Sequence, residues 1–300
     1  MFVGGTGRSG THIVAKLLAQ NRRYTLIPIE VRFHVDADGF PGLLAGTVTK
    51  EQFLERMRGF WWRGFQTSRF RGLHRLVPRE RFDRALAAFE SGFDADPEAA
   101  CRRLFFDLLW QVRGRTGARG PGIIEQSCDS IAQAETLVRL FPEARFVHVV
   151  RDGRDASASR VRQLRWLVYP RTRRQGLEWW ERRIRAIDRG ARAIPEGALY
   201  ETHLGRLLAP GRRSQREVRR LARFIGVGIA SRDRMEKFAA RRINAESANA
   251  GRWRRGLSPR RQRKLDRAYR EILAGLEADG VSCAPALRRA LAQDPSATPA

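Results

Sequence analysis

The sequence predicts a single α/β domain, a central parallel sheet flanked by helices. Three observations carry this. The chain opens on a short strand at residues 2–3, a glycine turn at 4–10 and a helix at 11–20, with Ile13, Val14, Leu17 and Leu18 at helical spacing. Further on, β-rich runs at 122–126 and 145–150 are separated by a helix through Leu137 and Leu140, the alternation of a parallel sheet. Of the 300 residues, 42% are hydrophobic and 30% charged, which supports a large core and excludes a disordered chain.

The other elements follow in order. Residues 24–31 form a second apolar run of strand length, and 33–48, rich in glycine and proline, read as a loop. Thr49 followed by Gln52 resembles a capping box, opening an amphipathic helix through Phe53, Met57, Phe60, Trp61 and Phe65. Helices are expected near 79–90 and 97–113, then at 153–167 and 174–193, with a strand at 198–201. The remainder reads as helical, broken by a glycine-marked loop at 251–256. The boundaries expected are one domain over 1–293 and a disordered tail over 294–300.

The formal net charge is +26, from 58 basic and 32 acidic residues, and only Lys16, Lys50, Lys237 and Lys264 are lysines. Such a surplus suits an anionic partner, although a solvated arginine-rich surface accounts for it equally. Residues 151–189 concentrate it, with 12 arginines against 5 acids. No zinc finger, RNA-recognition aromatic signature or helix-turn-helix is present, so specific nucleic-acid binding is not expected. No apolar run reaches bilayer length, and the chain opens without a signal-peptide pattern. Cys101, Cys128 and Cys283 are odd in number and lack metal-ligand spacing. The expectation is a cytoplasmic protein with no membrane span, disulfide framework or metal.

The turn Gly4-Gly5-Thr6-Gly7-Arg8-Ser9-Gly10-Thr11-His12 joins a strand to a helix, so its backbone N–H groups and the helix N-terminus form an anion cradle. A Walker A loop would need lysine where Thr11 stands. A dinucleotide fingerprint is literally satisfied by Gly5, Gly7 and Gly10, with Glu30 standing 20 residues beyond the last glycine. Against an NAD(P)-binding Rossmann oxidoreductase, no Tyr-x-x-x-Lys pair exists, and Arg8 would crowd the pyrophosphate. A noncatalytic polyanion-binding protein and a merely structural turn stay open at this point.

A second motif bears on the choice. His148-Val149-Val150-Arg151-Asp152-Gly153-Arg154-Asp155 closes an apolar strand and opens a helix that carries Ser159. Arg151 and Ser159, eight apart, can converge on one phosphate, charge plus hydrogen bond. Local ion pairs among Arg151, Asp152, Arg154 and Asp155 are the structural alternative.

Together these residues resemble the sulfotransferases that use 3′-phosphoadenosine 5′-phosphosulfate. Arg8-Ser9-Gly10-Thr11 resembles their P-loop-like phosphosulfate turn, and Arg151 with Ser159 resembles their 3′-phosphate element. Phe141-Pro142, Tyr200-Glu201 and Gly251-Arg252-Trp253-Arg254 are similar to further family elements, the last to a loop that closes over the nucleotide. The match covers most of the chain in patches and is weakest over residues 40–120.

The resemblance implies a sulfuryl donor held by Gly7, Arg8, Ser9, Gly10, Thr11, His12, Arg151, Ser159 and Arg254, and an acceptor of unspecified chemistry. Glu30-Val31-Arg32 resembles the Glu-x-Arg of tyrosylprotein sulfotransferases and the Glu-Val-His-Phe of heparan sulfate sulfotransferases. That carries the base onto Glu30, with Arg32 orienting it or binding an acidic acceptor; His12 and His34 are rivals, His34 on the acceptor side. Where tyrosylprotein sulfotransferases carry a catalytic lysine, this chain has Gln126, and no proline stands in 125–129. The aromatic stretch at Trp61 and Trp62 is either an acceptor lid or core, and Trp179 and Trp180 are similarly open.

Overall fold

A computed structural model of the chain describes residues 1–64, 72–112, 120–163, 169–244 and 250–292. The expected tail at 294–300 and Phe65 lie outside the described residues.

Among the described residues five short strands form the sheet: β1 (Phe2–Gly5), β2 (Tyr24–Leu26), β3 (Gly122–Ile124), β4 (Phe146–Val150) and β5 (Leu199–His203). β1 pairs with β4, β4 with β5 and β2 with β3, every pair parallel. A bridge between Phe2 and Glu125 joins the halves, with Val3 N–H donating to the Glu125 carbonyl at 2.8 Å. The order is therefore β2-β3-β1-β4-β5. The chain leaves β1 toward β2 and leaves β4 toward β5, in opposite directions, so a crevice opens between β1 and β4 at their C-terminal ends. Ligands of open α/β sheets bind at such a switch point.

The sheet is buried on both faces, as a parallel sheet must be. Phe2 and Phe146 face one apolar cluster, which includes Phe33, Phe53, Trp61 and Phe105; Val3, Val147 and Val149 face a second, with Val14, Leu17 and Leu221. A third cluster around Val150, Trp180 and Tyr269 holds the C-terminal helices against β4.

Helix α1 (Thr11–Leu18) follows β1, and α2 (Phe40–Leu44) and α3 (Lys50–Arg56) follow the β2 excursion. The capping box at Thr49 and Gln52 forms, and the helix continues as a π-helical turn at Met57–Trp61. Next come α4 (Arg79–Phe93), α5 (Pro97–Leu109), α6 (Ala134–Leu140), α7 (Gly153–Gln163) and α8 (Arg173–Ala191), the last opened by a capping box at Thr172 and Gln175. The chain closes with α9 (Leu204–Leu208), α10 (Arg212–Phe224), α11 (Ile229–Phe238), α12 (Pro259–Ala278) and α13 (Ala284–Ala292).

Two expectations need correction. The loop expected at 33–48 holds the short helix α2, Phe40–Leu44. The second strand stops at Leu26 rather than reaching residue 31. Pro28 has no N–H to continue the ladder after Ile27 donates to the Ile124 carbonyl at 2.9 Å. Ile27, Ile29 and Val31 nevertheless stay buried, which is why the pattern reads as a longer strand. Of the two readings open for the stretch at Trp61 and Trp62, the packing favours core: Trp61 is fully buried against Phe53, and Trp62 packs on Phe82 at 4.3 Å between ring centroids.

Candidate functional site

Every strand's C-terminal end delivers one part of the site. β1 delivers Arg8. β2 leads to Glu30 and Arg32, β3 to Gln126, Cys128 and Asp129, β4 to Arg151, and β5 to Leu204.

The glycine turn is tightly bent. Gly7 and Gly10 have φ of 79° and 97°, and a Cβ on Gly10 would stand 3.0 Å from Leu204. Arg8 and Arg32 are the non-glycine residues with positive φ among those described, at 59° and 63°. A left-handed arginine costs about 1 kcal/mol and persists where its surroundings fix it. Both follow the C-terminal end of a strand, Arg8 after β1 and Arg32 beyond β2.

The two arginine motifs meet. Arg8 Nε donates to Ser159 Oγ at 3.1 Å, and Arg151 Nη1 donates to the Arg8 carbonyl at 2.8 Å. Burial pulls the Arg151 pKa below the ordinary arginine value, only partly offset by Asp155 and Asp152. The ion-pair alternative holds for a different residue. Arg154, 1% exposed, is paired with Asp152 and Asp266 and stacked on Trp253 and Tyr269, so it is structural. Asp155 accepts from the N–H groups of Gly251 and Trp253 at 2.9 and 3.0 Å, tying the late loop to α7.

Beside Arg8 and Arg151 lies a cavity of about 680 Å³ whose lining mixes two chemistries. Arg8, Arg151, Arg162, Arg173, Arg252 and Arg255 line it, with Asp155 the one acid among its described lining residues. Aliphatic side chains line it too, Ile13, Val161, Leu204, Leu208 and Ile243 among them. Ser159 and Gly10 also line it, whereas Arg254 stacks on Trp253 at 4.4 Å and lines an adjoining cavity. Arg252 and Arg255, its neighbours, line the cavity beside Arg8, and the sequence gives no sign of the aliphatic lining. Ser9, with its hydroxyl buried, and Thr11 complete the turn.

On the far side of the turn stands a second group. Arg32 donates to Glu30 at 3.4 Å, to Asp129 at 3.3 Å and to Asp36, which also accepts from Trp61 Nε1 at 3.0 Å. Glu30 keeps 40% of its side chain exposed. Crowding by protein atoms raises its pKa above the usual carboxylate value, opposed by the Arg32 cation.

His12, at the start of α1, meets Gln126 with 2.9 Å between Nδ1 and Oε1. Gln126 Nε2 donates to the Ile27 carbonyl at 3.2 Å. A carbonyl only accepts, so the amide must present its NH2 there and its oxygen to His12, whose Nδ1 therefore carries the proton. Nε2 is left as an acceptor in the neutral ring. Burial lowers the His12 pKa, opposed by the Gln126 hydrogen bond and aided by Lys16.

His34 does not join this group. It is fully buried, and its Nε2 lies 2.9 Å from Glu125, itself buried and bonded to the Ser127 N–H and hydroxyl. Burial raises the Glu125 pKa, but His34 and the Ser127 bonds outweigh it, and the net shift is downward. A depressed carboxylate stabilises the fold above its unfolded pKa and loses that contribution as pH falls through the folded value. His34→Leu strands Glu125 and is expected to cost about 3 kcal/mol, read as a lower denaturant midpoint at neutral pH. Unchanged stability would refute a structural role for the pair.

A parallel sheet with a glycine turn after its first strand, met across the switch point by arginine and serine, is the architecture of a nucleotide- or phosphate-handling class, and the fold alone does not fix the reaction. Residues 1–231 match the Sulfotransferase family, and the chain belongs to it. The family implies a sulfate donor and an acceptor. Similar solved structures include the sulfotransferase domain of the olefin synthase of Synechococcus PCC 7002, with 17% identity, a TM-score of 0.50, and 86% of this chain and 88% of that one covered. Another is the sulfotransferase domain from the curacin biosynthetic pathway, with 15% identity, a TM-score of 0.54, and 92% and 96% covered. At these identities the likeness is one of fold. No curated protein matches the chain. Among the described residues no helix is long and apolar enough to cross a membrane, and no group of three or more side chains has metal-ligand geometry.

Proposed function

We propose that this protein moves a sulfuryl group from 3′-phosphoadenosine 5′-phosphosulfate to a hydroxyl or amine of an acceptor by in-line displacement. The observation that carries the reading is the contact of the two motifs, Arg8 with Ser159 and Arg151 with the Arg8 carbonyl. A donor of this kind is apolar at its base and multiply anionic at its phosphates. The cavity lining offers both chemistries, aliphatic side chains and six arginines.

In this reading the N–H groups of Ser9 to His12 and the Arg8 guanidinium bind the 5′-phosphosulfate, and Arg151 with Ser159 binds the 3′-phosphate. Ile13, Leu204, Leu208 and Ile243 pack on the adenine. The acceptor oxygen or nitrogen attacks sulfur as the bond from sulfur to the bridging phosphate oxygen breaks. Arg8 stabilises the charge left on that oxygen, and Glu30 takes the acceptor proton. Arg32 orients Glu30, and Nε2 of His12 offers a second acceptor site at the turn.

Thermal unfolding tests the donor class. 3′,5′-Adenosine bisphosphate is expected to raise the melting temperature in a concentration-dependent way, and NADP is not. A shift with NADP alone would replace this reading by a dinucleotide enzyme. Heparin binding with a steep salt slope and no nucleotide response would replace it by a polyanion-binding protein.

A further inference from the structure

Arg160 follows Ser159 on α7 but serves the opposite side of the turn. Its guanidinium carbon lies 4.9 Å from the Trp179 ring centroid, and the Trp179 ring comes within 3.6 Å of where a Cβ on Gly7 would stand. Cys128 Sγ is 3.8 Å from the same point. Arg160 Nε is buried without a hydrogen-bond partner, and Arg160 pairs with no carboxylate among the described residues. The nearby Arg183, on α8, pairs with Asp129 yet also leaves its own Nε buried and unpartnered. Asp129 already takes Arg32 and Arg183, and Glu30 and Asp36 already take Arg32.

A partly desolvated guanidinium with an unsatisfied donor is costly unless an anion completes it. Burial holds the Arg160 pKa below the ordinary arginine value, and the cations of Arg183 and Arg32 add to that effect. A planar guanidinium held over an indole offers its remaining N–H groups edge-on, the geometry that suits a sulfate or carboxylate.

We propose that Arg160, braced on Trp179 beside Gly7, forms an oxyanion subsite separate from the phosphate cavity, with Arg183 as its neighbour. The subsite rests on the sulfotransferase reading of the turn. Its anion is either the sulfuryl group of the donor or an anionic group carried by the acceptor. Both are oxyanions that a guanidinium fork can bind.

The test titrates inorganic sulfate into protein saturated with 3′,5′-adenosine bisphosphate, and separately measures affinities for the bisphosphate and the phosphosulfate. Arg160→Gln is expected to weaken sulfate binding about 10- to 100-fold while bisphosphate affinity is kept, which also shows that the variant is folded. If phosphosulfate affinity falls with sulfate binding, the anion is the donor's sulfuryl group; if it holds, the anion belongs to the acceptor. Arg160→Lys, which keeps the charge but not the planar fork, should recover only part of the sulfate binding. Sulfate binding absent from the wild type or unchanged in Arg160→Gln overturns the subsite alone. So does an equal loss of bisphosphate affinity, which would move Arg160 into the phosphate site. A wild type that binds no bisphosphate overturns the donor reading and the subsite with it.

Discussion

Arg151→Ala should weaken the binding of 3′,5′-adenosine bisphosphate roughly 100-fold or more, measured by calorimetry. Two losses act at one residue. The variant removes a guanidinium that is half-buried at the end of β4, where burial already depresses its pKa and the two nearby carboxylates offset this only in part. It also removes the 2.8 Å hydrogen bond that holds the Arg8 carbonyl, and with it one of the restraints on the left-handed backbone at Arg8. The second loss should spread to the 5′-phosphosulfate turn, so Arg151→Lys, a point charge without the fork, should recover only part of the affinity. Arg254→Ala, in the adjoining cavity, should change it less. Unchanged affinity in both Arg151→Ala and Arg8→Ala would remove the donor-site assignment.

The parts of the site that the sequence revealed are those fixed by short-range geometry. A strand that ends in arginine and opens a helix must put a serine eight residues on within reach of that arginine's end of the sheet, and a glycine turn after another strand must open toward the same edge. Parallel strands then bring the two edges together without further information. What the sequence concealed depends on long-range contacts. His34 and Glu125 are 91 residues apart, and only the folded chain shows that they are hydrogen-bonded in the core. His12 and Gln126, 114 apart, form a tautomer-fixing pair whose members look unrelated in sequence. The aliphatic lining of the cavity draws Ile13, Leu204 and Ile243 from three elements, and no pattern of period 2 or 3.6 links them. Adjacent tryptophans were ambiguous for the same reason: on one helix they differ by about 100° in direction. Trp180 is buried in the core, while Trp179 turns toward Gly7.

The arginine surplus divides along the same line. Arg154 is a strut, closed by two aspartates and two rings, although it sits in the very motif that drew attention to Arg151. Charge count therefore does not identify a ligand site. An arginine whose burial is not fully matched by a carboxylate is the better candidate, because a buried cation is costly without a counter-charge. Among the described residues burial lowers the pKa of Arg151, Arg160 and Arg173, and of these Arg151 keeps Asp155 and Asp152 as partial counter-charges.

Glu30→Gln should lower turnover by about 10²- to 10⁴-fold and leave bisphosphate affinity intact, since the amide keeps the shape but accepts no proton. The pH dependence gives a second reading. The carboxyl must be ionised to act, and its pKa lies above the usual value because desolvation outweighs the Arg32 cation. The rate in the wild type should therefore rise with pH through that raised pKa, and the acid limb should vanish in Glu30→Gln. Arg32 holds the pKa down, so Arg32→Gln should move the limb to higher pH and slow the reaction below it. If turnover in Glu30→Gln stays near normal while His12→Ala abolishes it, the base is the Nε2 of His12, and the pair with Gln126 then sets the tautomer that accepts the proton.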